Sequence, residues 1–109
     1  MVGGRIKVLA ESMRDEVTGL RHHFHRHPET AWGEVGTSDK IEALLREWGF
    51  ENIRRGFRGT RSGVVADLNA GGEGPSIALR ADMDALAIKE ENPVPYASAH
   101  EGVMHACGH

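Results

Sequence analysis

Long apolar runs are missing from this 109-residue chain. The segment from Met1 to Met13 holds none of the length that a signal peptide or a membrane span requires, the latter being about 20 consecutive apolar residues. Cysteine is nearly missing as well: Cys107 stands alone, so no intrachain disulfide can form, and a reducing, cytoplasmic compartment is expected. Neither sign of charge is in large excess. With 13 basic and 16 acidic residues the net charge is −3, which calls for neither nucleic acid nor an anionic membrane surface and leaves a small molecule as the default partner. No internal repeat or low-complexity linker interrupts the chain, whose length suits about one domain with a small core. A second Cys/His pair with finger spacing is absent, which argues against a closed four-ligand zinc module. No glutamate follows His23, so the metalloprotease helix motif is absent too.

What is present begins with amphipathic periodicity. Ile6, Leu9, Met13, Val17, Leu20 and Phe24 recur at spacings of three and four, which predicts one helix with Arg, Glu and Asp opposite the apolar stripe. Pro28 disfavours helical geometry in the residue before it, so this helix is expected to stop near His27. A second helix is predicted by the stripe Ile41, Leu44, Leu45 and Trp48, with Thr37, Ser38 and Asp39 as candidate caps and Gly49 as the residue past its end. After Gly49 the pattern shortens. Strands are predicted over 52–57 as a short edge, 62–69 and 76–83. The loop Ala70-Gly71-Gly72-Glu73-Gly74-Pro75 leads into a strand rather than opening a helix, which favours a strand connection over a phosphate cradle. Helices followed by strands suggest a layered α/β or α+β domain.

Three groups of side chains could carry chemistry. Asp82 and Asp84 lie two apart where an apolar strand is expected to end, a spacing that points both carboxylates to one face of an extended chain. The alternative for them is a solvated turn screened by Arg80. His22, His23, His25 and His27 form a dense group, and the four-residue interval from His23 to His27 is that of a two-histidine metal clip; a structural or substrate-side role is the favoured reading. Cys107-Gly108-His109 sets a thiol and an imidazole on either side of a glycine, which lets the backbone turn tightly and aim both at one ion. A lone cysteine is also often a small hydrophobe. Zinc-like ions want about four donors, so further ligands would have to come from elsewhere.

Taken in order, Arg21 to Glu29 (R-H-H-F-H-R-H-P-E), Glu34, Thr37, Ala81 to Leu86 (A-D-M-D-A-L), Pro95 to Ser98 (P-Y-A-S) and Gly102 to His109 (G-V-M-H-A-C-G-H) resemble the amino-terminal part of the M20 family of metallopeptidases. The likeness is narrower to its branch of aminoacylases, hippurate hydrolases and indoleacetyl-amino-acid hydrolases. The resemblance implies a partial three-layer α/β/α zinc-peptidase-like catalytic domain, with two N-terminal amphipathic helices and a mixed sheet. Residues 1–109 would be the amino-terminal segment of that domain, the rest of it and a dimerisation domain being absent. It implies metal-dependent hydrolysis of the amide bond of N-acyl amino acids, with two divalent ions (Zn, Mn, Co or Ni) in the complete enzyme. Cys107 and His109 match two of the metal ligands, and Asp82, Asp84 and His105 would support the site. No catalytic residue lies in this chain, since the general-base glutamate is expected downstream, and the segment alone is expected to be inactive. A homodimer is implied for the complete enzyme and self-association for the segment. Ala87 departs from the family, which usually has proline there, at some loss of local rigidity. The competing reading is a non-catalytic α/β domain with weak metal binding or a partner-association role.

Overall fold

The apolar stripe at the amino terminus folds into two helices instead of one. In the computed structural model, which describes residues 1–109, α1 spans Val2–Ser12 and α2 spans Arg14–Arg26. Met13 separates them at φ −93° and ψ −2°, values in the sparsely populated bridge region. The Ser12 hydroxyl donates to the Leu9 carbonyl at 2.7 Å, the same oxygen that accepts from Met13 N at 3.1 Å. Such back-bonding by serine bends helices. Because Val17 N still reaches Met13 O at 2.9 Å, the three-and-four spacing runs across the bend undisturbed. Asp15 and Glu16 occupy the first turn of α2, and His23, His25 and Arg26 its last, an arrangement that complements the helix dipole. The helix stops at His27, before Pro28, as predicted.

The next helix, α3 (Val35–Glu47), starts earlier than its expected caps. Thr37 and Ser38 sit inside its first turn, and neither they nor Asp39 cap it. The cap comes from Glu29, whose carboxylate accepts from Gly36 N at 3.1 Å and from Thr37 N at 2.5 Å. The other end follows the local signal closely. Gly49 has φ +81°, its N–H donates to Arg46 O, and Phe50 N donates to Leu45 O, a Schellman arrangement that satisfies two terminal carbonyls.

Strands β1 (Glu51–Arg55) and β2 (Val64–Asp67) pair antiparallel, with Arg54 opposite Val65 and Arg55 opposite Val64. The register shifts between Glu51 and Arg54, where Asn52 takes a positive φ, as bulges do. Helix α3 packs on this ribbon and is tied to it by Arg55, which reaches Asp39 at 2.8 Å and Glu42 at 2.7 Å. Ser38, fully buried, donates to Glu34 O at 2.6 Å and accepts from Gly63 N at 3.0 Å. The α/β class is therefore as expected, with three helices and a small antiparallel sheet.

The third predicted strand differs. Ser76 to Met83 joins no ladder, and Ile77 and Leu79 are 86% and 93% exposed. A strand is defined by its partner, and none lies beside this segment. Pairing resumes just after it: Ala85 N donates to Glu29 O at 2.8 Å, and Leu86 and Met104 exchange two bonds of 2.9 and 3.0 Å. Ala85 is the only buried aliphatic side chain. The radius of gyration of 16.1 Å exceeds the roughly 13 Å usual for this length, so much apolar surface stays uncovered.

Candidate metal centre

Phe24, Ile41, Leu45, Val65, Leu79 and Met104 line an open, mostly apolar cavity of about 1510 Å³. Polar residues share the lining, among them His25, Glu90, Asp82, His105, Cys107 and His109. The segment 105–109 has no regular structure, yet it brings the thiol and the imidazole together. Cys107 Sγ and His109 Nδ1 lie 3.2 Å apart, and both residues are exposed. Two donors at about 2.3 Å (sulfur) and about 2.0–2.1 Å (nitrogen) from one ion stand about 3.1 Å apart at a right angle and about 3.6 Å apart at the tetrahedral angle. The 3.2 Å contact, a thiol–imidazole hydrogen bond, is close to the right-angle value and short of the tetrahedral one, so a small opening of the pair would seat both donors on one cation. No third His, Cys, Asp or Glu joins it to form a larger cluster.

The neighbouring residues divide. Asp82 accepts from Arg80 Nη2 at 3.1 Å in an exposed pair. Asp84 acts on His105 instead. Burial pushes the His105 imidazole below its ordinary pKa and the charge of His25 adds to that, while Asp84 opposes both. His105 Nε2 is buried without a hydrogen-bond partner. His23 and His27 stand with ring centroids 4.9 Å apart, and burial, then His27 and then Lys40 lower the pKa of His23. Nothing further joins these two, so the clip spacing gathers no ligand set.

The remaining histidines of the cluster have partners that no local pattern predicts. His25 Nε2 donates to Glu90 at 2.8 Å, across 65 residues of sequence. His22 stacks on Tyr96 with centroids 3.8 Å apart and planes 8° from parallel, and Arg21 lies over the same ring at 5.5 Å. Glu29, whose role the sequence leaves open, caps α3 and holds Ala85. Glu90 carries no signature by type or spacing, since an acidic residue near a Pro-Tyr loop is too common to single out, and the Pro95 to Ser98 block does not reveal that Ser98 binds Glu90.

Residues 78–109 match the profile of peptidase family M20/M25/M40. Over 102 residues the chain is 45% identical to the N-acetyl-L-cysteine deacetylase of Bacillus subtilis, a stretch that covers 94% of this chain and 24% of that protein. It is 39% identical to the N-acyl-L-amino acid amidohydrolase of Geobacillus stearothermophilus, covering all of this chain and 29% of the relative. The crystal structure of the Bacillus subtilis YxeP protein, a dinuclear metal-binding peptidase of the M20 family, superposes with a TM-score of 0.80 at 39% identity, covering 90% of this chain and 27% of that one. Over nearly its whole length the chain is similar to members of the M20 peptidase family. It spans about a quarter of the length of the curated relatives it matches.

Proposed function

We propose that this chain supplies two metal ligands, Cys107 and His109, to a hydrolase that cleaves the amide bond of N-acyl amino acids. The observation that carries the proposal is the 3.2 Å approach of Cys107 Sγ to His109 Nδ1 beside the cavity. The relatives add the chemistry, since one is named for N-acyl amino acids and a structural neighbour is a dinuclear metal-binding peptidase. Bound divalent ions would supply Lewis acidity toward the amide carbonyl and a lowered pKa for water. The mixed soft and nitrogen donors suit zinc, with manganese, cobalt and nickel as the other candidates. The protein's own part is to hold and aim. Cys107 and His109 would bind from one short turn, with His105 just before them on the same segment and Asp82 and Asp84, on the 82–84 stretch, in the supporting roles proposed for them. No carboxylate of this chain stands at the pair to move a proton, so the 109 residues by themselves are expected to hydrolyse nothing.

Two further parts of the reading concern surroundings. The exposed Leu68, Ile77 and Leu79 favour self-association of the isolated chain, and the unpaired thiol suits a cytoplasmic location. No helix is long and apolar enough to cross a membrane.

The test is hydrolysis of N-acetyl amino acids by the polypeptide that carries this segment, reconstituted with zinc or manganese. C107S and H109A are each expected to lose at least about a hundredfold in metal affinity, because even the outer partners of metal ligands are worth about 10–100-fold. Unchanged metal affinity in both variants would remove the assignment.

A further inference from the structure

Glu90 is 6% exposed and the His25 side chain 13%. An acidic side chain is rarely buried without partners, and here the donors converge from separate parts of the chain. His25 Nε2 and Ser98 N each reach the carboxylate at 2.8 Å, and Asn92 Nδ2 reaches it at 2.9 Å. A carboxylate only accepts, so His25 must carry its proton on Nε2. From Ser98 the restraint passes onward. Its hydroxyl donates to Val103 O at 2.6 Å and accepts from His100 N at 3.1 Å, which closes the 98–103 turn on itself. Met104 follows at once and is locked to Leu86 by two backbone bonds. Cys107 lies three residues further on.

On the other side, Ala99 N donates to Arg26 O at 2.9 Å, so the end of α2 grips the same turn.

We infer that Glu90 is a positioning residue for the Cys107 and His109 pair, acting through Ser98, Val103 and Met104; the inference rests on the metal-site reading above. The pair sits on an irregular, exposed segment, and ordering such a segment on binding costs backbone entropy. Anchoring its amino-terminal side before the ion arrives reduces that cost and tightens binding. His25 holds Glu90 in place from α2, which gives the histidine-rich motif a task in this chain other than ligation.

The test uses the polypeptide that carries this segment, with Co(II) as the probe, read by thiolate-to-cobalt charge-transfer absorption. Amide hydrogen exchange at Leu86 and Met104 provides a second readout that needs no metal. E90Q is expected to exchange faster at both amides and to bind cobalt about 10–100-fold more weakly, with helix content unchanged by circular dichroism. S98A keeps the Glu90–His25 pair and the Ser98 N bond to Glu90 and removes the hydroxyl's bonds to Val103 O and to His100; about a tenfold weaker affinity is expected, and this variant decides the matter if E90Q does not fold. Unchanged exchange and affinity in either folded variant overturns the inference. Absence of a cobalt–thiolate band in the unaltered chain overturns the metal-site reading instead, and the exchange rates then still decide whether Glu90 anchors the turn.

Discussion

One carboxylate oxygen of Glu29 accepts both the amide and the hydroxyl of Thr37, at 2.5 and 2.7 Å. Its other oxygen takes Gly36 N, and its own carbonyl takes Ala85 N at 2.8 Å. A single residue thus closes the start of α3 and fixes the chain next to Asp84. Replacing it with alanine removes the acceptors of two helix-end amides, and E29A is expected to lose about 1–2 kcal/mol of stability. Urea unfolding checks this, with E29Q expected to retain more of the stability because it keeps one acceptor oxygen.

Acid should weaken the same contact. Burial raises the pKa of Glu29, but the hydrogen bonds from the Thr37 hydroxyl, Thr37 N and Gly36 N outweigh it and hold the carboxyl below its ordinary value of 4.5. A carboxyl depressed on folding contributes stability above its unfolded pKa, and that contribution fades as pH falls through the lower folded value. The urea midpoint is therefore expected to fall from near pH 4.5 downward, and to fall less steeply in E29Q. Glu42 and Glu90 are depressed as well, the first mainly by Arg46 and Arg55 and the second by Asn92 ahead of Ser98 and His25, so some slope should persist in that variant.

Ser38 joins α3 to the ribbon by accepting from Gly63 N while it donates to Glu34 O. In S38A the Gly63 amide would be left without this partner in a place where serine is fully buried. An unsatisfied buried donor costs about 1–3 kcal/mol, and a loss in that range is expected by thermal or urea unfolding. A loss below about 0.5 kcal/mol would mean that water replaces the hydroxyl.

Two glycines with similar backbone angles should respond differently to alanine. Gly49 has φ +81° and open space where a Cβ would stand, whereas at Gly56, with φ +73°, a Cβ would lie 2.5 Å from Thr60 O. The left-handed conformation alone costs about 1–2 kcal/mol. G49A is expected to lose about that much, and G56A distinctly more because the backbone around Thr60 must shift.

Features written into neighbouring residues were legible in the sequence. His27 ends α2 because Pro28 follows it, and Gly49 ends α3 because glycine takes the left-handed turn without strain. Cys107 and His109 could be paired from their spacing, and the ordered blocks pointed to the M20 family. Features set at a distance were not legible. The start of α3 depends on Glu29, several residues upstream of the helix, so Thr37, Ser38 and Asp39 looked like better caps than they are. The bend at Met13 leaves the apolar stripe intact and so leaves no trace in it. Over 76–83 the alternation suits a strand, but periodicity describes one chain and a ladder needs two. Glu90 meets His25 across 65 residues, and no motif in either neighbourhood announces it.

Tyr96, stacked on His22, is the only tyrosine in the chain. The grip of α2 on the 90–104 turn therefore carries its own optical label. Ring stacking perturbs phenol absorption, so a second-derivative ultraviolet spectrum follows this one joint without any added probe. Trp32 and Trp48 make no ring contact with Tyr96, whose ring meets His22, His25 and Arg21, and they absorb at longer wavelength. Loosening of the joint by heat, acid or substitution can thus be watched separately from the melting of the helices themselves.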